Sequence, residues 1–259
     1  MPRSDRMPAR LDFAQSASAL FLALFMWGHM FFVSSILLGK DAMYTVTKFF
    51  EGYYFFGKPY PAFVGLIVAF VFAIFILHAL LAMRKFPSNW REYRAFRSHQ
   101  KQLKHSDTNE WFVQVYTGFA MFFLGSVHLY LMMTHPGEIG PYASADRVWS
   151  GGMWPLDLML LLAVEFHGGI GLYRLAIKWG WFEGDDPRRT RRMLVRLKWG
   201  IIAFLLTLGL MSLAAYMRIG IEHADRVGER YEPGMTASVE APPSILMREP
   251  LAYARGWLA

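Results

Sequence analysis

Residues 116–137 read YTGFAMFFLGSVHLYLMMTHPG. The stretch is apolar over more than 15 residues, yet it carries the imidazole of His128 in its middle. A bilayer core about 30 Å thick is crossed by about 20 apolar helical residues. The run 111–134 that contains this stretch is long enough, and so are 14–38, 61–83, 154–177 and 197–219. Inside a bilayer no water is present to satisfy backbone groups, so each of these segments must be a helix. The composition agrees. Of the 259 residues 54% are hydrophobic and 17% aromatic, with a mean hydropathy of +0.24, too apolar for an ordinary soluble domain. The expected fold is an all-α membrane protein of five transmembrane helices.

The first run follows a basic stretch, as a signal peptide would. It is too long for one and lacks a small-residue cleavage site, so it reads as a retained helix. Arg3, Arg6 and Arg10 precede it. Seven Lys or Arg follow the second run, from Arg84 to Lys104, and eight lie between Arg174 and Lys198. The other two connections hold Lys40, Lys48, Lys58 and Arg147. The positive-inside rule then puts the N-terminus in the cytoplasm and, after five spans, the C-terminus outside. Arg226, Arg230, Arg248 and Arg255 in the tail run against that bias. The chain divides into a membrane domain over 1–221 and a polar, loosely ordered tail over 222–259. The stretch 39–60 is an aromatic outer connection, 86–108 a basic and partly helical inner one, and 180–195 a short inner turn. Asp185 or Asp186 before Pro187 reads as a helix start. The membrane surface accounts for the basic charge, and no nucleic-acid partner is expected.

Four of the eight histidines, His29, His78, His128 and His167, lie within four consecutive spans. An ionisable side chain in a bilayer is costly and usually functional. One such histidine could simply join two helices by a hydrogen bond; four make that reading weak. At 1.5 Å per residue, His29 and His128 lie about 22 and 26 Å from the inner ends of their spans. His78 and His167 lie about 26 and 20 Å from the outer ends of theirs. The four therefore sort into an outer pair, His29 with His128, and an inner pair, His78 with His167. Two imidazoles facing one another across a helix bundle make a bis-histidine haem site. With no cysteine in the chain, covalent c-type attachment and thiolate-held clusters are excluded, which leaves two b haems in a four-helix core plus a fifth helix.

Gly28, Gly125, Gly168, Gly169 and Gly171 lie near these histidines and could make room for a macrocycle, or could serve close helix packing. Arg84, Lys85, Arg174 and Lys178 at the inner span ends could pair with haem propionates, or could snorkel to the interface. His99, His105, His135 and His223 read as solvated surface groups. Glu165 sits two residues before His167, turned about 200° from it on a helix. It would face another helix, either as a proton carrier or as a hydrogen-bonded packing group. Glu51, beside the aromatic run GYYFFG, could accept a proton from a quinol hydroxyl, or could be solvated. Asp157, early in the fourth span, lies near the interface, where it could cap the helix or snorkel.

The segments ARLDFAQSAS (9–18), GHMFFVSSILLG (28–39), HALLAMRKFP (78–87), TGFAMFFLGSVHLY (117–130) and GLYRLAIKWGWF (171–182) closely resemble the dihaem cytochrome b subunit of menaquinol:fumarate reductases. The resemblance spans roughly residues 8–220. It implies a membrane anchor for an iron–sulfur subunit and an FAD flavoprotein on the cytoplasmic face of a bacterial inner membrane. It further implies menaquinol oxidation near the outer side, with electrons passing through a distal haem on His29 and His128 to a proximal one on His78 and His167. Glu51 matches the family's quinol-site glutamate, and Glu165 its transmembrane proton carrier. Gln15, Ser16, Trp111 and Lys178 fall where propionate contacts are expected. A homodimer of the heterotrimer is compatible with this pattern. The same parts could run in reverse as a succinate:menaquinone reductase. A haem-free anchor or transporter is the alternative from another class. Transporters favour helices broken in mid-span, and here only HGGIG (167–171) offers a break.

Overall fold

The computed structural model describes residues 6–103 and 106–234. Arg3, Lys104, His105 and the tail beyond residue 234 lie outside the described residues. Nine α-helices are present among those described: α1 (Met7–Ser34), α2 (Lys40–Phe50), α3 (Tyr53–Phe56), α4 (Pro61–Met83), α5 (Trp90–Leu103), α6 (Ser106–Thr134), α7 (Pro141–Val148), α8 (Trp154–Trp179) and α9 (Pro187–Glu222). Helices α1, α4, α6, α8 and α9 are long and apolar enough to cross a membrane. The five expected spans are all there.

Helices α1, α4, α6 and α8 form a closed four-helix ring, each packing on the next, and α9 packs outside it against α8 and α1. This is the expected bundle with an added fifth helix. The α9 seam shows how the sequence specifies the contact. Leu194, Lys198, Ile202, Leu205, Gly209, Ser212, Tyr216 and Gly220 recur every three or four residues and are buried, as one helix face requires. On the α8 side a Cβ at Gly169 would lie 2.3 Å from Ile202 Cγ1. Gly169 is therefore occupied by α8–α9 packing and not by room for a cofactor. Within this seam the hydroxyls of Ser212 and Ser34 are hydrogen-bonded at 2.9 Å, the kind of polar contact that joins helices in lipid.

The bundle has a basic face, with the N-terminus and α5, and an opposite, aromatic face. The segment 180–195, expected as a turn, is helical from Pro187. Asp186 Oδ1 caps this start, accepting from the backbone N–H of Arg188 at 2.9 Å and Arg189 at 3.2 Å, with Pro187 at the first helical position. At 36 residues α9 is about 54 Å long, so its first turns extend past the apolar core. The aromatic-face connections are also helical. Helices α2 and α7 pack on the ends of α1 and α9 around Ile36, Met43, Ala145, Val148 and Tyr216.

Residue His223, expected to be solvated, is 1% exposed. Its Nδ1–H donates to Asp146 Oδ1 at 2.8 Å, and its ring stacks on Tyr142 with centroids 4.0 Å apart. Gly228 N–H binds the other carboxylate oxygen at 3.0 Å. Arg230 donates to Gly137 O at 3.0 Å, and Tyr231 donates to Asp41. Burial, and then the bond to Asp41, push the Tyr231 phenol up to about 12, so it stays a donor. Residues 223–234 thus lie clasped over the aromatic face. His99 is exposed as expected, while His135 is half-buried.

Candidate functional site: two histidine pairs in the bundle

The ring order of the helices sets which histidines can meet. His29 on α1 and His128 on α6 face one another with centroids 6.2 Å apart and planes at 73°. Both lie close to the aromatic-face ends of their helices. With metal–nitrogen bonds of about 2 Å, two imidazole centroids flanking one ion stand about 6 Å apart. The observed separation fits an ion between them. His29 stacks on Phe25 of its own helix at 5.9 Å. His128 Nδ1 lies 3.8 Å from Asp157 Oδ1, too long for a hydrogen bond but within ion-pair range. Asp157, expected to cap or snorkel, therefore faces a candidate ligand.

The second pair lies nearer the basic face, and its tautomers follow from the hydrogen bonds. Ser18 Oγ donates its only proton to Gln15 O at 3.0 Å. Its oxygen must then accept from His78 Nδ1–H, 3.1 Å away, because a hydroxyl has one proton to give. His167 Nδ1–H donates to Gln114 O of α6 at 2.9 Å. In both rings the proton sits on Nδ1 and the Nε2 lone pair is left for a metal, the usual way a neighbouring shell orients a metal-binding imidazole. Gly118 on α6 makes room for this arrangement, since a Cβ there would lie 3.0 Å from His167 Cε1. Gly118 was not singled out in the sequence, where only glycines next to histidines in the chain drew attention.

Around this pair the expected anionic-group contacts divide. Lys85 and Lys178 both bind the carboxylate of Asp12, with Arg84 3.9 Å away. Lys178 also donates to Ser16 Oγ at 3.1 Å. Three cations around one carboxylate leave positive charge over for another anion. Arg174 donates to Gln114 Oε1 at 3.0 Å, on the residue whose carbonyl holds His167. Gln15 Oε1 is buried and lacks a hydrogen-bond partner among the described residues. Such an atom is rare in a finished core and suits a group that completes the site. Trp111 instead joins an aromatic cluster with Phe86 and Phe96. It lines an open cavity of about 420 Å³ with Trp90 and Tyr93, apart from the Asp12 cluster. Asp12 itself carries no signal in the sequence, where it is one polar residue in a matched segment. The donor set fits two haems: the facing His29 and His128, His78 and His167 with their Nε2 atoms left free, cationic side chains beside the latter, and an orphaned amide oxygen.

Glu165 is 4% exposed and its Oε1 has no partner among the described residues. It stands one turn before Gly169, on the α8 face that meets α9 and away from His167. Glu51 is 2% exposed. It caps the end of α2, with Lys48 Nζ 2.5 Å from its Oε2, and the ammonium lies 5.4 Å from the Tyr44 ring centroid. Phe50 beside it packs on Phe32, one turn beyond His29, with centroids 4.7 Å apart. That contact ties Glu51 to the first histidine pair. Of the aromatic run, Tyr54, Phe55 and Phe56 are exposed, as an interfacial belt would be.

A five-helix membrane bundle with two cross-helix histidine pairs is the architecture of a membrane electron-transfer subunit. Residues 91–208 match the family model described as succinate dehydrogenase/fumarate reductase transmembrane subunit. The chain is 56% identical over 223 residues to the fumarate reductase cytochrome b subunit of Wolinella succinogenes, covering 86% of this chain and 87% of that one. It is 51% identical over 217 residues to the fumarate reductase cytochrome b subunit of Helicobacter pylori strain J99, covering 84% of each. The chain belongs to the succinate dehydrogenase/fumarate reductase transmembrane subunit family. It is a multi-pass protein of the bacterial inner membrane and one part of an oxidoreductase complex.

Proposed function

We propose that this chain is the dihaem cytochrome b subunit of a menaquinol:fumarate reductase. In this reading the basic face and the N-terminus lie in the cytoplasm, against an iron–sulfur subunit and an FAD flavoprotein that carries the fumarate site. The observation that carries it is a set of four half-buried imidazoles on four spanning helices, His29 and His128 with ring centroids 6.2 Å apart and His78 and His167 held as Nδ1–H tautomers by neighbouring helices. His29 and His128 would hold one haem near the aromatic face, and His78 and His167 the other near the basic face. When bound, the haems supply one-electron carriers between the two faces of the membrane.

The remaining roles belong to this chain's own side chains. Oxidation of a quinol to a quinone releases two electrons and two protons. Glu51, a buried carboxylate at the aromatic face, takes a proton from a quinol hydroxyl, while Lys48 holds its Oε2 in place. Glu165, buried between α8 and α9, carries compensating protons through the bundle. Lys85, Lys178, Ser16, Gln15 and Arg174 would bind and orient the propionates of the basic-face haem, with Trp111 bordering that end. The family relationship and the matched segments support the assignment of partners.

The test is a pyridine haemochrome count on the purified complex and on its His128→Ala variant. Two b haems per chain are expected, and one in the variant, the survivor being the haem that exchanges electrons fastest with the iron–sulfur subunit. One or no haem in the parent protein, or loss of that fast-exchanging haem in the variant, would overturn the pairing.

A further inference from the structure

The first turns of α9 and the turn before them form a groove that no helix among the described residues fills. It encloses about 1010 Å³. The opposite face of the same helix, with Leu194, Lys198, Ile202 and Leu205, is buried in the bundle, so the groove looks away from the protein. Three guanidinium groups, Arg189, Arg192 and Arg196, line its basic-face end. Among the described residues none of them has a carboxylate partner. Asp185 and Asp186 also border it, but Asp186 is engaged in capping the helix. The charge left over is positive.

Beyond Arg196 the lining changes character. Leu197 and Phe204 follow on the same face, 52% and 56% exposed. From Arg196 to Phe204 the groove descends about 12 Å along the helix into the apolar span. Gly200 lies midway, and a Cβ built on it meets nothing within 4 Å. The other close-packed glycines of α9 admit a neighbouring helix; this one opens onto the groove and leaves a flat strip of backbone along its floor. On the far wall Phe182 is the one described non-glycine residue with a positive φ, at 62°. A bulky side chain rarely adopts that conformation. Here it turns the ring outward, 70% exposed, to line the groove.

We propose that this groove binds one anionic phospholipid of the basic-side leaflet, its phosphate on Arg189, Arg192 and Arg196 and one acyl chain along Gly200 toward Phe204. The gradient decides the class of ligand. A row of arginines at the interface attracts a phosphate of either a lipid or a soluble partner. Only a lipid also fills an apolar channel that continues into the bilayer, where a water-soluble protein does not reach. The site is independent of the haem assignment.

The test uses the complex purified from membranes in mild detergent. It is then exchanged into phosphatidylcholine nanodiscs carrying a minority of phosphatidylglycerol, and retained lipid is counted by native mass spectrometry. Two variants are compared with the parent: the combined Arg189→Gln, Arg192→Gln and Arg196→Gln, and Gly200→Leu, which fills the floor without changing charge. The parent should retain one phosphatidylglycerol per chain, and each variant should lose it by about tenfold or more, with haem content unchanged. Equal retention in Gly200→Leu would remove the acyl-chain channel. Loss of the iron–sulfur subunit from the arginine variant with lipid retained would show a protein dock instead. Dissociation of a dimer by either variant would show that a second copy covers the face. Any of these three results overturns the proposal.

Discussion

Replacing Asp146 by alanine is expected to release residues 223–234 from the aromatic face while leaving the bundle intact. The carboxylate accepts two bonds, from His223 Nδ1–H at 2.8 Å and from Gly228 N–H at 3.0 Å, and both ring and carboxylate are 1% exposed. A buried donor that loses its acceptor costs about 1–3 kcal/mol. Two donors sharing one acceptor are not additive, so about 3 kcal/mol is a fair sum. That corresponds to roughly a 100-fold rise in the local opening equilibrium. The assay is amide hydrogen exchange read by mass spectrometry on the peptide covering 223–234, in detergent. Its exchange should accelerate about 100-fold, with peptides from α4 and α6 unchanged. The Asp146→Ala, His223→Ala double variant should be less destabilised than the sum of the singles, because they share one bond. Unchanged exchange at 223–234, or equal acceleration across the whole bundle, would refute the idea of a local clasp.

Two further outcomes follow from the membrane sites. Glu51→Gln keeps the shape at the end of α2 but removes the proton acceptor, so menaquinol oxidation should fall by about 100-fold or more with both haem bands retained; near-normal turnover with a menaquinol analogue would exclude Glu51 as acceptor. Lys198, whose side chain is 1% exposed, pairs with Glu110 at 16%. Lys198→Met should cost about 1–3 kcal/mol in thermal unfolding, less than a fully buried pair because Glu110 keeps some solvent, and adding Glu110→Gln should recover most of it.

Much of this molecule is legible in the sequence because a bilayer leaves few choices. Five apolar runs give five spanning helices, and four histidines inside them stand out against a background that rejects charge. Depth alone suggests which histidines pair, since a helix rises uniformly per residue, and the rings of His29 and His128 do lie 6.2 Å apart. What the sequence hid falls into two kinds. The first three turns of α9 are so rich in arginine that hydropathy starts the span only at residue 197, although Asp186 and Pro187 mark the true start of the helix. A cap is a local signal and survived where the apolar pattern did not. The clasp at His223 is the other kind. Its partner Asp146 lies 77 positions upstream, in a connection without periodicity, so a lone histidine in a polar tail reads as solvated. Asp12 was hidden in the same way. Its meaning comes from Lys85 and Lys178, brought together from α4 and α8 only by the closing of the bundle. Gly169 shows the limit of proximity in sequence: it is two residues from His167 yet serves the other side of α8.

The anchoring of His78 and His167 through Nδ1 bears on the speed of electron exchange. Each ring is fixed to a neighbouring helix before any metal arrives, by Ser18 from α1 and by the Gln114 carbonyl from α6. If these rings hold a haem as proposed, ligands so fixed would not swing or slip when the charge beside them changes by one, and the nuclear rearrangement accompanying each electron would be small, with the bundle a stiff mount for both oxidation states.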